Sequence, residues 1–391
     1  MNTNWNNSRL RPDDPSGFYE SYFQRGNHPS RPLAFWVRYT AFSPRGRPDD
    51  ARGELWAIYF DGETGRNTAV KEAFPLLDCN FSPTQLEVHI GAAKLTNSML
   101  SGRAVSVSHA LNWTLDYAGH EAPLLLLPEH LYERGFPKAK ALVGTPNAIY
   151  TGTLTVDDDE ISIDGWRGSQ NHNWGKRHTD HYAWGQVAGF DNAPDAFLEC
   201  STAQFKIGPF WTPRLTLVVL RVEGEQITIN GLLQAARASA SLDFFTWTID
   251  TRNEQVHISG RIHAPASAFV GLSYQNPPGG EKTCLNNKIG KRGDHRAAAW
   301  ARVTDADHKT PRRVRDSYRQ SGSRSADCGV KAAIFALCEL FMLSLRLVIC
   351  VGDDVMAFAS LTSLCVASPA YSSMFDERCR DCEQHRLCCH G

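Results

Sequence analysis

Between Phe18 and about Gly290 the chain repeats one local pattern: a short aromatic or β-branched run, a polar turn, and a second such run. Residues 34–40 and 54–60 are separated by a loop rich in Pro, Gly and Asp. Residues 151–156 and 161–165 flank the acidic turn 157–160. The pattern returns at 215–222 with 226–229, at 245–249 with 256–262, and at 269–274 with 282–285. β-Branched and aromatic side chains lose rotamer freedom in a helix and pack well on a pleated surface. Short strands punctuated by turn signals confine such a chain to antiparallel barrels or sandwiches. Helix is scarce: residues 128–134 have the spacing for two turns, stopped by Gly135 and Pro137.

Two consecutive sets of hairpins predict two β-domains, residues 17–188 and 189–292, behind a polar tail, residues 1–16, expected to be disordered. The first fifteen residues hold no apolar segment of the kind a secretory signal needs. Beyond about residue 293 the hairpin pattern stops. A stretch rich in Arg, Asp and Ser gives way to an apolar, helical-looking run at 330–350, interrupted by Lys331, Glu339 and Arg346. Those charges argue against a membrane span. The end of the chain carries Cys379, Cys382, Cys388 and Cys389, whose spacing fits no closed zinc site. Residues 293–391 are therefore expected to be an atypical extension, partly helical or disordered, of the composition a frame-shifted read-through gives.

Charge excludes some partners. With 41 Lys and Arg against 42 Asp and Glu, the net charge is −1, so no global field favours nucleic acid or an anionic surface. Cys79, Cys200 and Cys284 are the cysteines of residues 1–292, a usage typical of a reducing compartment. Cytoplasmic residence is expected, with peripheral membrane contact left open. Phosphate-binding loops, dinucleotide fingerprints, zinc-protease helices and the serine-hydrolase elbow are all missing.

The chemistry is concentrated in residues 165–186. Trp166, Trp174, Tyr182 and Trp184 alternate there with Gln170, Asn171, Asn173 and Gln186, and with His172, His178 and His181. Aromatic walls with a few placed polar groups suit a pocket for a mostly apolar ligand. Each tryptophan taken singly is better explained as barrel core. On a continuous strand His172 and His178 would share a face and His181 the other, which does not converge on a metal. No metal and no cofactor are expected. Glu199 stands in an apolar run, a costly place for a charge unless it is protonated or paired, for example with Arg38.

Residues 165–175 (Gly-Trp-Arg-Gly-Ser-Gln-Asn-His-Asn-Trp-Gly) and 182–186 (Tyr-Ala-Trp-Gly-Gln) resemble the central signature of carotenoid 1,2-hydratases (hydroxyneurosporene synthases) and tocopherol cyclase-like proteins. Supporting segments surround Glu20, Trp36 with Arg38, residues 136–140 leading into 150–153, and residues 274–280 followed by 284–288. The resemblance covers about residues 17–289. It implies two tandem lipocalin-like β-barrels with an isoprenoid or polyene ligand between or within them. Activities known in the group are water addition to a carotenoid end, chromanol ring closure and pericyclic cyclisation. Relatives are expected to continue past residue 288 with closing strands, where this chain departs.

The resulting expectation is a hydratase or cyclase that protonates an alkene and captures the cation with water or an internal hydroxyl. His172 or Glu199 would give the proton. Trp174 and Trp184 would face the cation, and Asn171, Asn173 and Gln186 would orient the nucleophile. Glu20, Trp36, Arg38, Trp166, Gln170 and Tyr182 would complete the binding wall. The alternative is a lipocalin-like carrier or sensor that uses the same wall without an acid. A tail-anchored or zinc-binding interaction protein rests only on the residues beyond 293.

Overall fold

A computed structural model describes residues 5–11, 14–191, 193–243, 245–254 and 256–289. It also describes the backbone of strands Arg346–Val351, Asp354–Ala357 and Ser363–Ala367. The described chain is almost entirely antiparallel β-structure, as the hairpin pattern requires.

The first sheet has 12 strands. It runs from Arg66–Pro75 through Arg52–Asp61, Leu33–Ser43 and Phe18–Asn27. It then crosses to the long pair Asp159–Gly175 and Ala139–Val156, and continues through Ala110–Ala118 to short strands ending at Cys79–Phe81. Its two ends curl towards each other into a nearly closed barrel: Glu72 accepts the backbone N–H of Val105 at 3.1 Å, and a side chain at Gly53 would strike the Cys79 sulfur. Register shifts at 143/145, 145/148 and 150/151 bend the long strand around the barrel, as bulges do.

Every residue of Leu33–Ser43 is buried, because both faces of this strand are covered. Phe35, Val37 and Tyr39 point into the barrel with Tyr22 and Trp113. Ala34 and Trp36 point the other way and pack on Leu272 and Cys284 of the second unit. Inside the barrel the Trp113 indole N–H donates to the Tyr39 hydroxyl at 2.9 Å, so both large side chains are buried with their polar atoms satisfied.

The second unit is a seven-stranded and a five-stranded sheet around one core, with Leu198 and Leu220 on one side and Trp247 and Ile258 on the other. Its seven-stranded sheet includes Ser363–Ala367, seated between His181–Phe190 and Glu281–Asn287. Strand Arg346–Val351 pairs with Val256–His263. The extension thus contributes strands to this unit. The apolar run expected to be helical ends in one of them, while its start and the terminal cysteines lie outside the described residues.

Several expectations shift. The sheets change at residues 176–180, not near 188: strand His181–Phe190 pairs only within the second unit. The helix expected at 128–134 is one turn of 3-10 helix, Glu129–Leu131. A short helix, Leu232–Arg237, carried no sequence signal. The acidic turn is tighter than expected, since strand pairing resumes at Asp159 and Asp157 takes a positive φ of 55°. The tail read as disordered is, from Trp5 to Arg11, laid onto the first barrel by Asn6, Ser8 and Arg9. No described helix is long and apolar enough to cross a membrane.

Candidate functional site

Strand alternation divides the central residues between two places. Along Asp159–Gly175 the side chains of Ser169, Asn171 and Asn173 face the second unit, while those of Gln170, His172 and Trp174 face away from it. Asn171 bonds Ser169 and Gln186, and Asn173 accepts from Ser21. His172 instead bonds Glu20 and stacks on Tyr22.

The face towards the second unit borders a cleft of about 180 Å³. Its walls are aromatic: Phe23, Trp36, Tyr182, Trp184 and Tyr274. An engineered apolar cavity of about 150 Å³ binds benzene, so this space has room for a ring-sized apolar group rather than a whole long polyene. Trp184 stands edge-on to Phe23, 5.7 Å between centroids at 89°, a favoured aromatic geometry.

The polar floor of the cleft centres on Gln186, which is fully buried. Its carbonyl oxygen accepts from Arg25 Nε at 2.5 Å and from Ser169 Oγ at 2.5 Å. Its amide nitrogen donates to Asn171 at 2.9 Å and to Glu199 at 2.7 Å. Glu199 also accepts the Trp184 indole N–H at 2.6 Å. Burial pushes the Glu199 carboxyl up to about 7, against the downward pull of these two donors and of the Arg25 charge. The pairing of Glu199 with Arg38 that sequence allowed does not form. Arg38 bonds Ser21 at 2.9 Å and lies over the Tyr274 ring at 4.4 Å, and its buried Nε has no partner.

The other face of the strand holds a second cluster. His172 Nε2 lies 2.8 Å from Glu20, with both side chains wholly buried. His172 Nδ1 lies 3.2 Å from the Trp5 carbonyl. Glu20 further accepts from Ser8 Oγ at 2.7 Å and from the Arg9 backbone N–H at 2.8 Å. Burial acts to raise the Glu20 carboxyl, but the hydrogen bonds from His172, Ser8 and Arg9 prevail and hold it low. Burial lowers His172, with Glu20 pulling the other way. The Arg9 guanidinium covers Trp174 at 4.1 Å, and Asn6 donates to Gln170 at 2.7 Å. His172 adjoins the cleft, yet its ring is enclosed and both nitrogens are engaged.

The expected site residues therefore separate. Asn171, Asn173, Tyr182, Trp184, Glu199, Trp36 and Arg38 border the cleft, with Gln186 beneath them. Glu20, His172, Gln170 and Trp174 belong to the capped cluster. Trp166 is core of the first barrel, beside Phe35. The strand ends at Gly175, so His178 lies in the connection and stacks on Tyr19 at 3.9 Å; burial depresses it to about 3. Among the described residues no three His, Cys, Asp or Glu side chains converge to hold a metal. Sequence reasoning missed Arg25, Asn286 and Lys288. An arginine in a β-strand and a lysine following a mostly polar strand are weak signals until both faces are known to be covered.

No protein-family model matches the chain. It is 23% identical over 273 residues to an uncharacterized protein of Mycobacterium tuberculosis, present in two strains, over 70% of this chain and 79% of that one. Among solved structures it is similar to kievitone hydratase from Nectria haematococca, with a TM-score of 0.46, 10% identity, and 69% and 82% of the two chains covered. It is also similar to CghA, with a TM-score of 0.48, 11% identity, and 90% and 88% covered.

Proposed function

We propose that the cleft binds one end of an apolar isoprenoid or polyene and that Glu199 protonates a double bond there. The observation that carries this reading is a buried carboxyl, raised to about 7, at the wall of an aromatic cleft. A carboxylic acid kept protonated near neutrality can act as a general acid. Its proton adds to the less substituted alkene carbon, and a tertiary cation forms at the other. The faces of Trp36 and Trp184 stabilise that charge. A held water or a hydroxyl of the ligand then attacks the cation. Its released proton returns to the Glu199 carboxylate, so the acid is regenerated. Asn171 and Asn173 supply the polar groups on the opposite wall that can orient the nucleophile. The resemblance to hydratases and cyclases in residues 165–186 supports the same chemistry.

The test is incubation of the full chain with isoprenoid alkenes and a lipid extract in heavy water, read by mass spectrometry. Carbon-bound deuterium with added heavy water means hydration. An isomer carrying one deuterium means cyclisation. A bound lipid recovered unlabelled and unchanged overturns the acid reading in favour of a carrier.

A further inference from the structure

Lys288 is an amine at the wall of the same cleft, and the chemistry above makes no use of it. It directly follows strand Glu281–Asn287 and is 1% exposed. Its Nζ donates to Asn286 Oδ1 and lies 3.5 Å from the Asn287 carbonyl. The Trp184 and Trp36 rings stand 5.5 and 6.0 Å away. Among the described residues no carboxylate comes within ion-pair distance of it. The charge that reaches it is the guanidinium of Arg25, of its own sign. Lys140, the other buried lysine bordering the cleft, is also lowered by burial and then by Arg9, but less far. Its ammonium is held by the Arg134 and Pro137 carbonyls at 2.7 and 2.8 Å.

An ammonium has no lone pair, so an amine becomes a nucleophile only when its charged form is disfavoured. Desolvation in an apolar pocket and a neighbouring cation are the two arrangements that do this. Lys288 has both, and burial first, then Arg25, places it well below the usual lysine range. The Trp184 and Trp36 rings line the same cleft beside the nitrogen.

We propose that Lys288 is a carbonyl-binding group: its amine condenses with an aldehyde or ketone on an apolar ligand in the cleft to form a Schiff base. The nitrogen lone pair attacks the carbonyl carbon, a C–N bond forms, and the C=O pair moves to oxygen. The two amine protons pass to that oxygen, which leaves as water while the C=N bond forms. The proposal shares with the proposed function the premise that the cleft takes an apolar ligand; it does not depend on alkene protonation.

The experiment treats the full chain with citronellal and cyanoborohydride at pH 7 and maps modified lysines by peptide mass spectrometry. Lys288 is expected to be labelled at least tenfold faster than exposed Lys138 and Lys176, and faster than Lys140. The excess is expected to vanish in Lys288→Met, which keeps the chain length of the side chain. In the unaltered protein, lowering the pH from 8 to 7 should slow the exposed lysines about tenfold and Lys288 by less. Labelling of Lys288 no faster than of exposed lysines, or falling with pH as theirs does, overturns the proposal. A positive result here with no deuterium in the heavy-water assay retains the amine and discards the acid. The reverse pattern retains the acid and discards the amine.

Discussion

Trp184 donates its indole N–H to Glu199 from the strand that pairs directly with the one carrying Glu199. The two lie diagonally across the pair, since Gln186 is the residue opposite Glu199. A donor to the charged form lowers a carboxyl pKa, so this contact sets how far burial can raise Glu199. Turnover that needs the acid should be flat below pH 7 and fall about tenfold per unit above it. Trp184→Phe keeps a ring in the wall and removes the donor, so the falling limb should move to higher pH. A pH–rate profile of the two proteins checks this, and a limb that stays in place removes Glu199 as the acid.

The same shift makes a stability prediction of definite sign. The folded carboxyl titrates at about 7 and the unfolded one at about 4.5, so the fold binds this proton more tightly. Its contribution is complete below about pH 4.5 and is lost as pH rises through about 7. The loss is about 3 kcal/mol. Urea denaturation at pH 5 and pH 8 should show it in the native protein, and Glu199→Gln should abolish that part of the difference.

The parity of a strand explains what sequence could and could not show. The aromatic, β-branched runs at residues 34–40 and 54–60 were legible as strands, and in the fold they put Phe35 and Tyr39 in one core and Trp36 in another contact. Alternation could not say which face of residues 169–174 meets the second unit, because both faces carry polar side chains, Ser169, Asn171 and Asn173 on one and Gln170 and His172 on the other. Asn171, His172 and Asn173 therefore read as one cluster, although their side chains part company in the fold. The Trp5–Arg9 cap was illegible for a different reason: a polar segment without periodicity acquires structure from distant partners, here Glu20, Gln170 and Trp174.

Ser8 tests that cap. Glu20 is held below its ordinary range, so it stabilises the fold above the unfolded pKa and loses that contribution as pH falls through the folded one. Ser8→Ala removes one donor to a buried carboxylate and should cost about 1–3 kcal/mol at neutral pH. Acid unfolding should begin at a higher pH than in the native protein. Acid titration followed by tryptophan fluorescence measures both effects.

Gln186 is the hub on which the cleft floor depends. Replacing it by Leu keeps the volume but leaves Arg25 Nε and Ser169 Oγ without this buried acceptor and Glu199 without one donor. The expected cost is about 3–5 kcal/mol, since a buried cation loses a partner. Denaturant midpoints give that figure. The surviving folded fraction should titrate Glu199 higher, the same direction as Trp184→Phe.

Trp174 and Trp184 are alike in the sequence and opposite in the fold, which makes them a matched pair of variants. Trp174 packs with Phe18, Tyr132 and Leu142 beneath Arg9, away from the cleft. Trp174→Ala should therefore cost about 3–5 kcal/mol of stability as a core truncation. Per folded molecule, ligand affinity and turnover should change less than threefold. Trp184→Ala opens the cleft wall, frees Glu199 of a donor, and should lower turnover at least a hundredfold. Measuring both variants at a temperature where each remains folded separates the two effects. Equal losses of turnover would mean that the ligand reaches the capped side of the strand as well.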